Sequence, residues 1–102
     1  MTKVFALYKT PADPAAFDRY YHATHVPIAK RIPGLLSYEI TRGTISALDG
    51  TAPYHLIAIL TFASVDAVQA ALASPEGQAT AADLANFATG GVEIYFAPTE
   101  TL

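Results

Sequence analysis

The chain has 102 residues, one domain's worth, with 52% hydrophobic and only 15% charged residues against about 25% charged in an average globular domain. Its net charge of −3 is scattered with no basic patch, which excludes nucleic acid as a partner, and the absence of cysteine excludes disulfides, thiolate catalysis and zinc–cysteine sites. A membrane-spanning helix needs ~20 apolar residues in a row, whereas the run Leu56–Leu60 stops at Thr61, so the surplus apolar surface belongs to a subunit interface, a ligand pocket or both.

Lys3–Lys9 is a predicted strand, rich in β-branched and aromatic residues and closed by Thr10-Pro11. Asp13-Pro14 is a helix start: Asp13 can cap free N–H groups and Pro14 suits the first helical position. Phe17, Tyr20, Tyr21, Thr24 and Ile28 follow at spacings of three and four, the stripe of a helix lying on a core. Pro27 removes a helix hydrogen bond and disfavours helical geometry at Val26, so a kink or break is expected near His25–Val26. A short turn of helix then runs to Ile32, and Pro33-Gly34 ends it. Leu35–Arg42 is a second strand, 43–53 a loop around Asp49-Gly50, and Tyr54–Phe62 the clearest strand in the chain. Ser64 caps a helix through Ala73, Ser74-Pro75-Glu76 starts another to about Phe87, and after Gly90-Gly91 the last strand is Val92–Ala97.

The order is β-α-β-β-α-β with the second α divided, which predicts an α+β, ferredoxin-like domain spanning 1–102: a four-stranded antiparallel sheet with its helices on one face. Both faces of the strands are apolar. Val4 and Ala6 alternate with Phe5 and Leu7, and Leu56, Ala58 and Leu60 alternate with Ile57 and Ile59. A one-sided sheet would show polar residues on its open face, so a second copy of the chain is expected to cover it, giving a homodimer. Met1-Thr2-Lys3 leads straight into a strand pattern without the apolar stretch of a signal peptide, so the expected location is the cytoplasm.

His25 falls at the edge of the apolar stripe, four residues after Tyr21, where Pro27 is expected to interrupt the helix. An imidazole that changes charge near neutral pH suits general acid–base work; the competing reading is a structural ring bonding a carbonyl freed at the kink. Tyr38, thirteen residues on, can donate its phenol to a ligand oxygen or simply pack in the sheet. Tyr20 and Tyr21 are core-stripe residues, one of which can lend a hydroxyl to a pocket. His22 is expected to pair with Asp18 on one helix face, Ile28 to line the pocket, and His55 to lie at its rim. Glu39 and Glu93 are expected on the dimer side, Glu93 needing a partner inside its strand. His22 and His25 are three apart, but no carboxylate arrangement completes a metal site, and no glycine-rich loop offers a phosphate cradle. No metal and no cofactor are expected.

The run Phe17-Asp18-Arg19-Tyr20-Tyr21-His22-Ala23-Thr24-His25-Val26-Pro27, with Ile32-Pro33-Gly34-Leu35, Tyr38, Ser74-Pro75-Glu76-Gly77 and the late Gly90-Gly91, resembles the EthD family of the dimeric α/β-barrel superfamily. The resemblance implies a ferredoxin-like monomer pairing sheet to sheet, with a ligand cavity between sheet and helices or at the barrel mouth. A methylmuconolactone-isomerising relative uses the histidine matching His25 as its acid–base and lines its pocket with a tyrosine matching Tyr38; it also uses a cysteine, which this chain lacks. Haem-degrading members place a histidine in the later helical region, where this chain has none. The resemblance therefore implies a cofactor-free isomerase, cyclase or monooxygenase-like enzyme acting on a small hydrophobic lactone, quinone or aromatic compound. The alternative is a non-catalytic carrier or accessory protein that binds such a ligand in catabolism.

Overall fold

The alternation that marks the first strand also divides its side chains. In the computed structural model, which describes residues 1–102, β1 (Thr2–Lys9) turns Thr2, Val4, Ala6 and Tyr8 into the core and leaves Lys3, Phe5 and Leu7 on the other face. β5 (Tyr54–Phe62) does the same with Leu56, Ala58, Leu60 and Phe62. With β2 (Ser37–Ile40) and β6 (Val92–Pro98) they form one sheet in the order β2-β5-β1-β6, every neighbouring pair antiparallel. This is the ferredoxin-like arrangement expected from the element order. β2 is shorter than the predicted 35–42, and the predicted loop holds a small hairpin of β3 (Ser46–Ala47) and β4 (Gly50–Thr51) turning at Leu48-Asp49.

The helices α1 (Pro14–Tyr20), α2 (Val26–Ala29), α3 (Val65–Ala73) and α4 (Pro75–Phe87) cover one sheet face only. The result is a slab 34 × 34 × 17 Å in extent, two layers thick, and only 19 of 102 residues are buried because the second sheet face is open. That face carries Phe5, Leu7, Ile57 and Ile59 at its centre. Glu93, which was expected to find a partner, finds it within the chain: the Tyr54 hydroxyl donates to it at 2.6 Å. Glu39 is exposed on the same face opposite Ile59. No helix is long and apolar enough to cross a membrane.

Two local devices set the geometry of the helical layer. Between β1 and β5 the register shifts from Tyr8↔Leu56 to Lys9↔Tyr54, so His55 is an unpaired bulge residue. Its ring turns to the helix side, edge-on to Phe17 at 5.1 Å. At the α3–α4 corner Ser74 closes one helix and opens the next: its hydroxyl donates to the Ala71 carbonyl at 2.5 Å and accepts from the Gly77 N–H at 3.0 Å. The corner is tight, and a Cβ on Gly77 would lie 2.0 Å from the Ala71 carbonyl oxygen. Alanine in place of a helical glycine ordinarily stabilises by up to ~1 kcal/mol. Here the obstacle is backbone, so we expect Gly77→Ala to destabilise by about 1–3 kcal/mol, read as a lower urea midpoint; an unchanged or higher midpoint would show that the corner can relax.

Candidate functional site

The kink or break expected near His25–Val26 is not a break: the helix continues there through a local irregularity. α1 passes into a π turn, Tyr21–His25, in which the Val26 N–H bonds the Tyr21 carbonyl five residues back, and α2 follows directly. Widening the helix by one residue accommodates a proline whose ring would crowd the carbonyl four residues before it and which has no N–H to offer. The turn begins and ends on a buried side chain, Tyr21 and His25, while His22 and Ala23 between them are exposed. Tyr21 is fully buried, stacked on Phe17 at 5.7 Å and edge-on to Tyr8 at 5.6 Å.

His25 is 3% exposed, and its ring does not bond a freed carbonyl. Nδ1 lies 2.9 Å from Oδ2 of Asp83, a buried carboxylate on α4. Oδ1 of Asp83 accepts from the Tyr20 hydroxyl at 2.6 Å and from the Asn86 side-chain amide at 2.9 Å. Burial raises the Asp83 carboxyl, but these donors and His25 outweigh it, and the group sits below its ordinary range as a carboxylate. Burial pushes His25 below the ordinary imidazole value, only partly opposed by its bond to Asp83. At neutral pH the pair is therefore a neutral imidazole donating Nδ1–H to a charged carboxylate. That leaves the Nε2 lone pair free. No side-chain nitrogen or oxygen in the chain is both buried and unpartnered, and Nε2 has no protein partner, so it keeps accessible surface.

His25 lines a cavity of about 90 Å³ between the sheet and the helices. Val4, Ala6, Ala58 and Leu60 form its floor, Ala29, Ile32 and Leu84 its walls, and Tyr8, Tyr21, Tyr38 and His25 its polar fittings. Leu72 and Ile94, each about half exposed, flank the way out. Tyr38, opposite Leu60, points to the helix side, and its hydroxyl meets that of Tyr21 at 2.5 Å. One of the two donates to the other, so the acceptor's own hydrogen is left for a third partner. Burial raises both phenols, keeping them protonated. The arrangement can take a proton at Nε2 and hold an oxygen at a phenol, in apolar surroundings.

The structure brings His25, Tyr38 and Tyr21 together. Tyr20 stands outside this cavity and donates its hydroxyl to Asp83. Ile28 is half-buried and does not line it; its neighbour Ala29 does. His22 and His55 lie instead in an open, polar cleft of about 850 Å³ between α1 and the β3–β4 segment, together with Asp18 and Arg42. The expected His22–Asp18 ion pair is not formed: His22 Nδ1 meets the Asp18 carbonyl at 3.0 Å, and the Asp18 carboxylate takes His55 Nε2 at 2.8 Å. That cleft is larger, but its His55–Asp18 pair is partly exposed and its lining is mostly polar, so the smaller, more apolar cavity has the better chemistry. Nowhere do three His, Asp or Glu side chains converge as metal ligands would.

Asp83 is the residue that sequence reasoning missed. It lies on the stripe Gly77, Thr80, Asp83, Leu84, Phe87, at spacings that face a helix inward. An acid on an apolar stripe needs a buried partner, and that was the available signal. Tyr8 and Phe87 also belong here: Tyr8 lines the cavity and the Phe87 ring lies 4.6 Å from that of His25.

The likeness to known proteins is consistent along the chain. An uncharacterized 11.0 kDa protein in the thcB-thcC intergenic region of Rhodococcus erythropolis is 45% identical over 103 residues, covering 100% of this chain and 98% of that one. The crystal structure of an EthD family protein from Bacillus halodurans superposes with a TM-score of 0.90 at 30% identity, covering 98% and 99% of the two chains. SnoaB, a cofactor-independent oxygenase from Streptomyces nogalater, shares the fold with a TM-score of 0.64 at 22% identity over 99% of this chain and 93% of its own. Residues 9–91 match the profile described as the EthD domain, and with two relatives at 30% identity or more over nearly their whole length, the chain belongs to the EthD family.

Proposed function

We propose that the chain is a cofactor-free acid–base enzyme for a small hydrophobic carbonyl compound such as a lactone, quinone or polyketide-like aromatic. His25 Nε2 removes a proton from carbon or oxygen next to the carbonyl and returns it at another position. A hydroxyl of the Tyr21–Tyr38 pair holds the carbonyl oxygen as negative charge develops there. The observation that supports this most is the setting of His25: Asp83 occupies one ring nitrogen, the other has no protein partner, and the residue lines the cavity. That SnoaB is a cofactor-independent oxygenase supports the idea that this fold needs no bound group for its chemistry. About 90 Å³ holds only a reacting end, since whole-ligand pockets run to about 300 Å³ or more; the remainder of a substrate would leave between Leu72 and Ile94. The working unit is a homodimer joined through the open sheet faces.

The test separates enzyme from carrier. Small lactones, quinones and phenols are screened by thermal shift, and every hit is incubated with protein in D2O. At a hundredfold excess over Kd a ligand adds about 2.7 kcal/mol of stability, on the order of 10 °C for a domain of this size. We expect at least one hit to gain deuterium with the native chain and not with His25→Ala. Hits that bind both proteins equally and never exchange would establish the carrier reading instead.

A further inference from the structure

The three donors on Asp83 are divided between its oxygens. Two neutral donors, the Tyr20 hydroxyl and the Asn86 amide, sit on Oδ1, and the imidazole has Oδ2 to itself. We infer that Tyr20 and Asn86 are positioning residues: by occupying Oδ1 they fix the carboxylate so that His25 holds its proton on Nδ1 and keeps the Nε2 lone pair free. This deepens the acid–base reading and rests on it.

The directions of the bonds follow from what each group can do. A carboxylate only accepts, so Tyr20 must donate, as must the amide nitrogen of Asn86. With both in place the carboxylate cannot swing about its Cβ–Cγ bond without losing two bonds. Tyr20 ends α1 immediately before the π turn, and Asn86 lies three residues after Asp83 on α4. The brace thus ties the helix carrying the base to the helix carrying its partner, and Phe87 stacks on Tyr20 at 5.4 Å and meets His25 at a tilt at 4.6 Å. There is an electrostatic consequence. The titratable groups facing His25 are Asp83 from α4, Tyr21 from its own helix, and Tyr8 and Tyr38 from the sheet. Only Asp83 is charged at neutral pH. Two donors on Oδ1 spread its charge and weaken its hold on an imidazolium, so the ring stays neutral and available as a base.

Imidazole ¹⁵N resonances of the full chain, followed from acid to neutral pH, test this without any substrate. The variants are Tyr20→Phe, Asn86→Ala and the double change; Tyr20 is half-buried and Asn86 exposed, so neither empties the core. His22 and His55 bond neither residue and serve as references in the same spectra. In the native chain His25 is expected as the Nδ1–H tautomer alone. Each single change should raise its proton affinity about threefold and the double change about tenfold, with the second tautomer emerging. A double variant whose His25 keeps the native titration and tautomer overturns the inference. A His25 that responds as expected, in a protein that exchanges no deuterium into any ligand, upholds the brace and removes the catalytic reading.

Discussion

Asp83→Asn is expected to lower the rate of proton exchange by about 10²- to 10⁴-fold, the usual worth of a positioned acid–base group, while leaving the chain folded. The reason lies in the donors around Oδ1. Tyr20 and Asn86 both point hydrogens at that position, so an asparagine there must turn its carbonyl toward them and its amide toward His25. Nδ1 then faces a donor and can meet it only as an acceptor. The ring proton moves to Nε2, which then no longer has a free lone pair with which to act as a base. Asp83→Ala acts on stability instead, because it leaves the Nδ1–H buried without a partner. That costs about 1–3 kcal/mol, which for a domain of this size lowers Tm by on the order of 10 °C. The pair also shapes the acid limb of the native chain. His25 is depressed in the folded state, so the unfolded chain takes up its proton first and stability falls as pH drops below about 6.5. The depressed Asp83 adds a further loss as pH falls below about 3.9. Exchange kinetics of Asp83→Asn within a few-fold of native would sink the tautomer argument, and an acid limb unchanged in Asp83→Ala would sink its electrostatic half.

The layers were readable because they rest on patterns that tertiary contacts rarely overturn. Period-two alternation and the caps at Asp13, Ser64 and Ser74 each act through near neighbours, and all three caps accept the backbone N–H three residues on. The π turn was hidden because proline has two outcomes in a helix. It can end the helix, or the helix can widen ahead of it when packing holds both sides. Here Tyr21 and His25 are fixed against Tyr8, Phe87 and Asp83, elements remote in sequence. The same holds for the site. His25 and Tyr38 could be singled out because their chemistry is carried by residue type. Asp83 could not be paired with His25 across 58 residues without knowing that α4 lies beside the π turn. Helix spacing does bring His22 to Asp18, but to its carbonyl, because a bulge at His55 brings a competing ring to the carboxylate.

If the chain pairs through its open sheet face as proposed, Ile59→Lys is expected to convert that dimer to monomers, raising its dissociation constant at least about 10³-fold. The open face is arranged as an interface would be. Phe5, Leu7, Ile57 and Ile59 lie on the two central strands. The charges stand around them: Lys3 and Lys9 toward the ends of β1, Glu39 and Glu93 on the edge strands β2 and β6. An apolar centre within a polar rim is the usual anatomy of a protein–protein contact. Four strands at about 4.8 Å and eight residues at about 3.3 Å give a face of about 500 Å². Two such faces bury about 1,000 Å², at the threshold for a specific interface. Ile59 sits near the middle, opposite Phe5 on one side and Glu39 on the other. A lysine there can pair with Glu39 in the monomer, so the isolated fold is not penalised. In the dimer the same change brings two ammonium groups into a closed apolar layer, each at a cost of several kcal/mol. Sedimentation at micromolar concentration decides it: a native chain that is already monomeric, or a variant that stays dimeric, would each rule out pairing through this face. Because the cavity lies on the other side of the sheet, monomeric Ile59→Lys should still bind cavity ligands. Loss of that binding would mean that the partner holds β1 and β5, and with them the cavity floor, in place.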